Sequence, residues 1–372
     1  MSDNEQQIKL VLGQPLEADI VSADRSVVLV KAGTMVTQDL MMRLTNWLHE
    51  QERLREKQEK TGKKGARHKM RWDILKKLEF EQIVSDRTRK QLEKGCENFF
   101  STIGKKGSPP DIAALEDAVQ TMVSESPDNP DMPLKLLEMK KHSSYLFQHA
   151  MNCGVIATFV ATALKYPTRE IAAFALAMML HDTGLLTVNP DSLNKMELSE
   201  KELVDIRNHP RSGYDALRTI PGVDPLALLV AIGHHVYADG SGYPDNVDFH
   251  DLPELAHLAV IINDFESLTS EKPLSEAIHM HEAIVAMLRQ SEKYHPVMLS
   301  HFIRAVGFYP VTTFAQLNTG EVGVVVRNNP ENLFLPEIKL VMDENGKRFP
   351  SEISVDLMRE SDRWITRIKD NI

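Results

Sequence analysis

Apolar residues recur at helical spacing through the middle of the chain and alternate near its ends. Between 133 and 305 the spacing predicts helices at 133–164, 168–180, 199–207, 213–220, 225–235, 253–269, 275–290 and 296–305. Thr168, just after Pro167, is the expected cap of the second. Past Pro310 the period shortens. Residues 312–317 and 322–326 flank Asn318-Thr319-Gly320, and 335–342 and 349 onward flank Asp343-Glu344-Asn345-Gly346; both read as hairpins. Near the N-terminus, 8–12, 18–21 and 27–31 are short β-rich pieces separated by Gly13-Gln14-Pro15 and Asp24-Arg25. A helix over 37–48 follows, with Thr37 as cap and Leu40, Met41, Leu44 and Leu48 on one face. Residues 49–69 are charged and nearly devoid of apolar side chains, which suits a solvated linker or a frayed helix. Helical spacing returns over 72–103 and 111–123, and Pro127, Pro130 and Pro133 mark a boundary. The expected fold class is mostly α, a helical bundle with a small β-containing N-terminal module and a short β C-terminal extension. The expected divisions are 1–50, 51–130, 131–310 and 311–372.

Composition narrows this picture without redirecting it. The 372 residues are 42% hydrophobic and 26% charged, enough for a substantial core. The formal net charge of −10 repels a polyphosphate backbone and argues against nucleic acid as a partner. A small anion stays open, because a bound metal reverses the local field. Cys96 and Cys153 lie far apart and suit a reducing compartment; Cys153, in an apolar run, reads as a buried structural thiol. The opening MSDNEQQIKL has no signal-peptide pattern, and the apolar runs 154–164 and 171–180 are shorter than the roughly 20 residues a membrane span needs. A cytoplasmic protein without a membrane segment is expected.

The candidate chemistry is confined to the helical stretch. In order stand His149, the pair His181-Asp182, His209, the pair His234-His235, and Asp264. Any one histidine taken singly is more often an ordinary core or surface residue. A His-Asp pair closing a run as apolar as 171–180 is different, because such groups are costly to bury unless paired or bound to metal. Imidazole nitrogen and carboxylate oxygen suit Fe, Mn, Zn or Co. A carboxylate such as Asp182 can bridge two ions roughly 3.5–4 Å apart, a spacing that suits phosphodiester chemistry. Just after the histidine pair, Asp239-Gly240-Ser241-Gly242-Tyr243-Pro244 reads as a tight loop with Tyr243 at its tip.

His149, HDTG at 181–184, His209-Pro210 with Gly213, His234-His235, DGSGYP at 239–244 and Asp264 together resemble the HD-GYP family, a branch of the HD phosphohydrolases whose members hydrolyse cyclic di-GMP. The resemblance covers about 145–305, and the 312–326 stretch and the N-terminal module also resemble segments common in that family. It implies an HD-type bundle and metal ligands at His149, His181, Asp182, His209, His234, His235 and Asp264, with Asp182 as bridge. It further implies His181 and Asp182 as catalytic residues, and substrate contacts from Gly242, Tyr243, Pro244 and Lys272. The implied cofactor is two divalent ions, Fe or Mn, rather than three, since Tyr145 stands where some members carry a further carboxylate. Hydrolysis would use a metal-activated hydroxide. GGDEF-domain proteins are implied partners through the 242–244 loop, and a homodimer is expected.

Several positions depart from the family pattern. Leu185 replaces a lysine that would reach phosphate, and Val236 replaces a glutamate. Lys272-Pro273-Leu274 replaces an Arg-Pro-Tyr segment, and Ser275 and Glu276 replace basic residues. Two readings therefore stay open: an active cyclic di-GMP phosphodiesterase, or a weak or inactive module that binds metal and nucleotide and signals through protein partners.

Overall fold

The computed structural model describes residues 20–21, 28–30, 33, 84–103, 110, 112–126, 145–194, 198–271 and 277–369. The expected strand at 8–12, the helix at 37–48, the linker at 49–69 and the first parts of the helices expected at 72–103 and 133–164 lie outside these residues. Two compact units result. One holds Gln82–Ala283 and Gln290–Ala305; the other holds Ile284–Arg289, Val306–Ile372 and the described residues before 82.

The first unit is helical. Its elements are α1 (Asp86–Thr102), α2 (Ala113–Glu125), α3 (Tyr145–Ala163), α4 (Thr168–Leu180), α5 (Glu200–Arg207), α6 (His209–Leu217), α7 (Pro225–Gly233) and α8 (Glu254–Thr269). Helices α9 (Met280–Arg289) and α10 (Pro296–Val306) follow. Helix α4 is buried at Ile171, Ala172 and every residue from Phe174 to Leu180, so its apolar composition makes it the central element. It packs against α3 on one side and α7 on another, and α8 packs against both α3 and α7. In α3 the window Leu146–Ala163 is long and apolar enough to cross a bilayer by composition, but 78% of it is buried inside the protein, as in a core helix.

Local chemistry sets the helix ends. A capping box of Ser199 and Glu202 starts α5. Asp224 caps α7 by accepting from the Leu226 amide at 2.8 Å, with Pro225 at the first helical position. Two ends differ from expectation. Thr168 is the first residue of α4 rather than its cap, because Pro167 holds the cap position without a side-chain bond. Helix α6 begins at His209, four residues before the expected start, because Pro210 suits a first turn that needs no N–H.

The C-terminal part of the second unit is a five-stranded antiparallel sheet in the order β6-β5-β4-β3-β7. Its strands are β3 (Phe314–Leu317), β4 (Val322–Arg327), β5 (Glu337–Met342), β6 (Arg348–Asp356) and β7 (Ile365–Ile368). Both expected hairpins are present, as β3–β4 and β5–β6. Alternation along the strands buries Ala315, Leu317, Val325, Ile338 and Leu340 in one cluster and Phe314, Val322 and Val324 in another. Two short N-terminal strands, β1 (Ile20–Val21) and β2 (Val28–Val30), pair antiparallel.

One contact fixes the helical unit around its histidines. After α4, a 3-10 turn at Thr183–Thr187 runs against α6 so closely that a Cβ on Gly184 would lie 2.0 Å from the His209 carbonyl oxygen. Backbone cannot yield as a side-chain tip can. Gly184→Ala should lower stability by about 1–3 kcal/mol, the usual cost of overpacking, measured by urea unfolding of the full chain.

Candidate metal centre

Three histidines of the site stand at helix ends, where the last carbonyls lack helical partners. His181 follows α4, and its Nδ1 lies 2.6 Å from the Met178 carbonyl. His234 follows α7, with Nδ1 2.9 Å from the Ala231 carbonyl. His209 follows α5 and opens α6, with Nδ1 2.7 Å from the Ile206 carbonyl. A carbonyl only accepts, so each Nδ1 carries the proton and each Nε2 points a lone pair inward.

These lone pairs converge. His209 Nε2 lies 2.9 Å from His234 Nε2, and His149 Nε2 lies 3.2 Å from His181 Nε2. Asp182 lies between the two pairs. Its Oδ1 is 3.2 Å from His209 Nε2 and 3.4 Å from His234 Nε2. Its Oδ2 is 3.5 Å from His181 Nε2 and 3.6 Å from His149 Nε2. Lone pairs facing lone pairs and a carboxylate repel unless a cation lies among them. The spacings match donor atoms about 2.0–2.2 Å from a shared ion. Such donors stand on the order of 3.0–3.6 Å apart at octahedral to tetrahedral angles. The residues present therefore fit divalent ions. Donor sets that could hold one are His149, Cys153 and His181; His209, His234 and His235; and His181, Asp182 and His234.

Burial keeps most of the rings neutral. It pushes His181 down to about 3 and lowers His234, and it holds His235 well below its usual range with help from His234 and His209. At His149 burial also opposes the charge, but Cys153 and Glu266 outweigh it and hold the imidazole well above its usual range.

Helix α8 presents Asn263 to the cluster and turns Asp264 away from His149. Asn263 Oδ1 lies 3.1 Å from His149 Nε2, while the Asp264 carboxylate accepts from the Tyr237 hydroxyl at 3.1 Å and the Tyr294 hydroxyl at 3.0 Å. Neighbouring helix residues point about 100° apart, so only one of the two can face a given ring. Glu266, three residues after Asn263 and fully buried, contacts His149 Nδ1 and accepts from Asn152 Nδ2 at 2.8 Å. Sequence reasoning missed Asn263 and Glu266, although their three-residue spacing on an apolar helix was a usable signal. Cys153 is buried as expected, with Sγ 3.8 Å from both ring nitrogens of His149. Burial pushes its thiol up to about 11.

The loop beyond the histidine pair is held to it. The Tyr243 amide donates to the His235 carbonyl at 3.0 Å, and a Cβ on Gly242 would lie 2.1 Å from that same oxygen. The Tyr243 ring, expected at the loop tip, instead stacks on His235 at 4.6 Å and is partly buried. The Arg207 guanidinium lies over the same ring, 5.8 Å from its centroid. Pro244 and Leu185 are partly buried, and Lys272 lies outside the described residues.

Residues 132–297 match the HD domain family. That stretch carries an HD domain, and the motifs within it resemble those of the HD-GYP branch. Residues 314–371, which include the C-terminal sheet, match a KOW domain associated with HD domains. The chain is 28% identical over 265 residues to cyclic di-GMP phosphodiesterase PA4108 of Pseudomonas aeruginosa, a match covering 70% of this chain and 64% of that protein. It is 33% identical over 138 residues to the cyclic di-GMP phosphodiesterase response regulator RpfG of Xanthomonas campestris, covering 36% of each. It is also 25% identical over 146 residues to 3'3'-cGAMP-specific phosphodiesterase 1 of Vibrio cholerae, covering 39% of this chain and 34% of that one. The chain thus spans less than two thirds of the length of each of these relatives. Among solved structures it is similar to Bd1817, a HDG"Y"P protein from Bdellovibrio bacteriovorus, with a TM-score of 0.48 and 18% identity over 58% of this chain and 68% of that one.

The placement of Asp182 and Asp264 separates two variants of this site. Asp182→Ala should lower the metal bound per chain, because this carboxylate faces both pairs of histidine nitrogens. Asp264→Asn should leave the count unchanged. Elemental analysis after anaerobic purification measures both.

Proposed function

We propose that this chain is a metal-dependent phosphodiesterase that hydrolyses cyclic di-GMP by adding water across a P–O ester bond. The observation that carries the reading is Asp182, whose two oxygens each face a separate pair of inward histidine nitrogens. A carboxylate so placed suits a bridge between two divalent ions, Fe or Mn, with His149 and His181 on one side and His209, His234 and His235 on the other. When bound, such a pair supplies Lewis acidity toward a phosphodiester and an acidified water.

The chain's own groups do the rest. His181 and Asp182 are the residues we assign to catalysis, since both reach the space between the two donor sets. The stack of Tyr243 on His235 and the backbone bond behind it hold Gly242, Tyr243 and Pro244 rigid beside the donors, as a wall for one guanine-ribose half. Asp239 accepts from the Ser241 amide at 2.9 Å and from its hydroxyl at 2.7 Å, which prepares the same loop. Arg207, exposed beside the Tyr243 ring, offers a cation to a phosphate oxygen; Lys272 is a second candidate cation. Two buried thiols, Cys96 and Cys153, suit the reducing cytoplasm as the place of action.

A second reading is favoured by two particular residues. Asn263 gives His149 a neutral amide oxygen where a carboxylate would bind metal more strongly, and Leu185 leaves the phosphate side without its lysine. Both weaken turnover while keeping metal and nucleotide binding, which suits a module that signals through partners such as GGDEF-domain proteins at the 242–244 loop.

The two readings separate in one assay. Protein purified anaerobically and loaded with Fe or Mn should open cyclic di-GMP faster than 3'3'-cGAMP; full metal loading with no turnover of either would overturn the enzyme reading. Because Leu185 is only partly buried, Leu185→Lys has room to snorkel toward the donors. It should raise single-turnover rate about tenfold, the lower end of what a charge-assisted contact contributes. A lower thermal midpoint with an unchanged rate would mean that Leu185 serves packing alone.

A further inference from the structure

The two oxygens of Asp182 face unequal company. Beyond Oδ1 stand three imidazoles, those of His209, His234 and His235. Beyond Oδ2 stand two, His149 and His181, and the further group that reaches His149 Nε2 is an amide. Asn263 is buried, with Oδ1 3.1 Å from that nitrogen. The amide has a reason to point this way round. Its Nδ2 donates to the Asp264 carboxylate at 3.3 Å, and the reverse orientation would set two acceptors against each other there. The atom turned toward the cluster is therefore the one that can serve a metal ion. Donors about 2.1 Å from a shared ion stand on the order of 3.0–3.4 Å apart. The 3.1 Å from Asn263 Oδ1 to His149 Nε2 and the 3.2 Å from His149 Nε2 to His181 Nε2 both suit that spacing. The carboxylate that α8 does supply, Glu266, touches the other nitrogen of the His149 ring. There, held also by Asn152 and Ser270, it orients the ring and lies behind any ion on Nε2.

We propose that Asn263 is a ligand, through its amide oxygen, of the ion held by His149 and His181, and that this makes the His149 side the weaker and exchangeable half of the centre. One donor set is His149, His181, Asn263 and the Oδ2 of Asp182. The other is His209, His234, His235 and the Oδ1 of Asp182. Asp182 lends its charge to both, so the difference lies in one amide oxygen against one imidazole. An amide oxygen is the poorer donor to first-row ions such as Fe, and it brings no charge of its own. Between the two dissociation constants the chain holds a single ion, on the His209 side, and the bridged pair forms only when free metal rises further. Phosphodiesterase activity would then follow the supply of divalent metal through one neutral side chain. The proposal rests on the reading of the cluster as a metal centre.

Manganese is the probe that tests it. The full chain is stripped of metal and titrated with Mn(II), with free ion counted by electron paramagnetic resonance and heat by calorimetry. Two steps are expected in the wild type, the first ion binding at least about tenfold more tightly than the second, the scale on which ligand charge and type tune a site. Asn263→Asp should tighten the second step about tenfold or more and leave the first in place, and Asn263→Leu should abolish the second step alone. Two equal steps in the wild type, or an Asn263→Asp titration identical to it, would overturn the weak half-site while leaving the metal centre standing. A single ion in the wild type that becomes two in Asn263→Asp supports the proposal; a single ion in both overturns it. A chain that binds no manganese overturns the metal centre and the amide ligand with it. If the variants fail to fold, the ratio of the two wild-type steps decides alone.

Discussion

The site depends on a constraint that lies outside it, in the carbonyls at the ends of α4, α5 and α7. A helix leaves its last carbonyls without partners. Here His181, His209 and His234 satisfy them through Nδ1, and each ring is thereby fixed in one tautomer and one orientation. Three helix ends that needed donors become three imidazoles that offer lone pairs to a common point. The carboxylate of Asp182 adds negative charge at that point. The burial that holds His181 and His234 neutral removes the option of relieving the repulsion by protonating them. What the fold prepares is a cavity of donors that is electrostatically complete only with cations inside it.

Glycine supplies the second requirement, close backbone approach. The 3-10 turn after Asp182 could not run beside His209 if Gly184 carried a Cβ, and the loop at Tyr243 could not fold back on His235 if Gly242 did. The first contact sets the distance between the two ends of the donor cluster, and the second sets the distance from the donors to the ring that would meet a nucleotide. Both glycines lie within the sequence motifs, HDTG and DGSGYP, so those motifs encode backbone clearance as well as ligands.

How much of this was legible in the sequence varies with the physics involved. The α4 run, the helices α5 and α7 and both C-terminal hairpins were readable because periodicity and turns are local. The donors at 149, 181, 182, 209, 234 and 235 were found because they form an ordered set with a specific loop behind them. Asp264 was named where Asn263 faces His149, because residue type favoured the carboxylate and only the phase of α8 decides between adjacent positions. Cys153 was read as a buried structural thiol because it sits in an apolar run, and it is buried. Helix α6 was started late because His209 was weighed as a ligand and not as a first-turn residue.

The phase of α8 also gives Asp264 its own task. Its carboxylate receives two hydroxyls, from Tyr237 just after the histidine pair and from Tyr294 just before α10. The Ala238 amide donates to the Lys293 carbonyl at 2.8 Å, and the Lys293 ammonium lies 5.2 Å from the Tyr237 ring centroid. The segment that begins the 239–244 loop is thus tied to α8 and to the approach to α10 at one carboxylate. On the opposite side of the same helix turn, Asn263 and Glu266 engage His149. A rotation of α8 that improved one set of contacts would spoil the other, so the donor cluster and the 239–244 loop share a single rigid support. Replacing Asp264 would loosen the loop without removing a donor, whereas replacing Glu266 would release His149 without touching the loop.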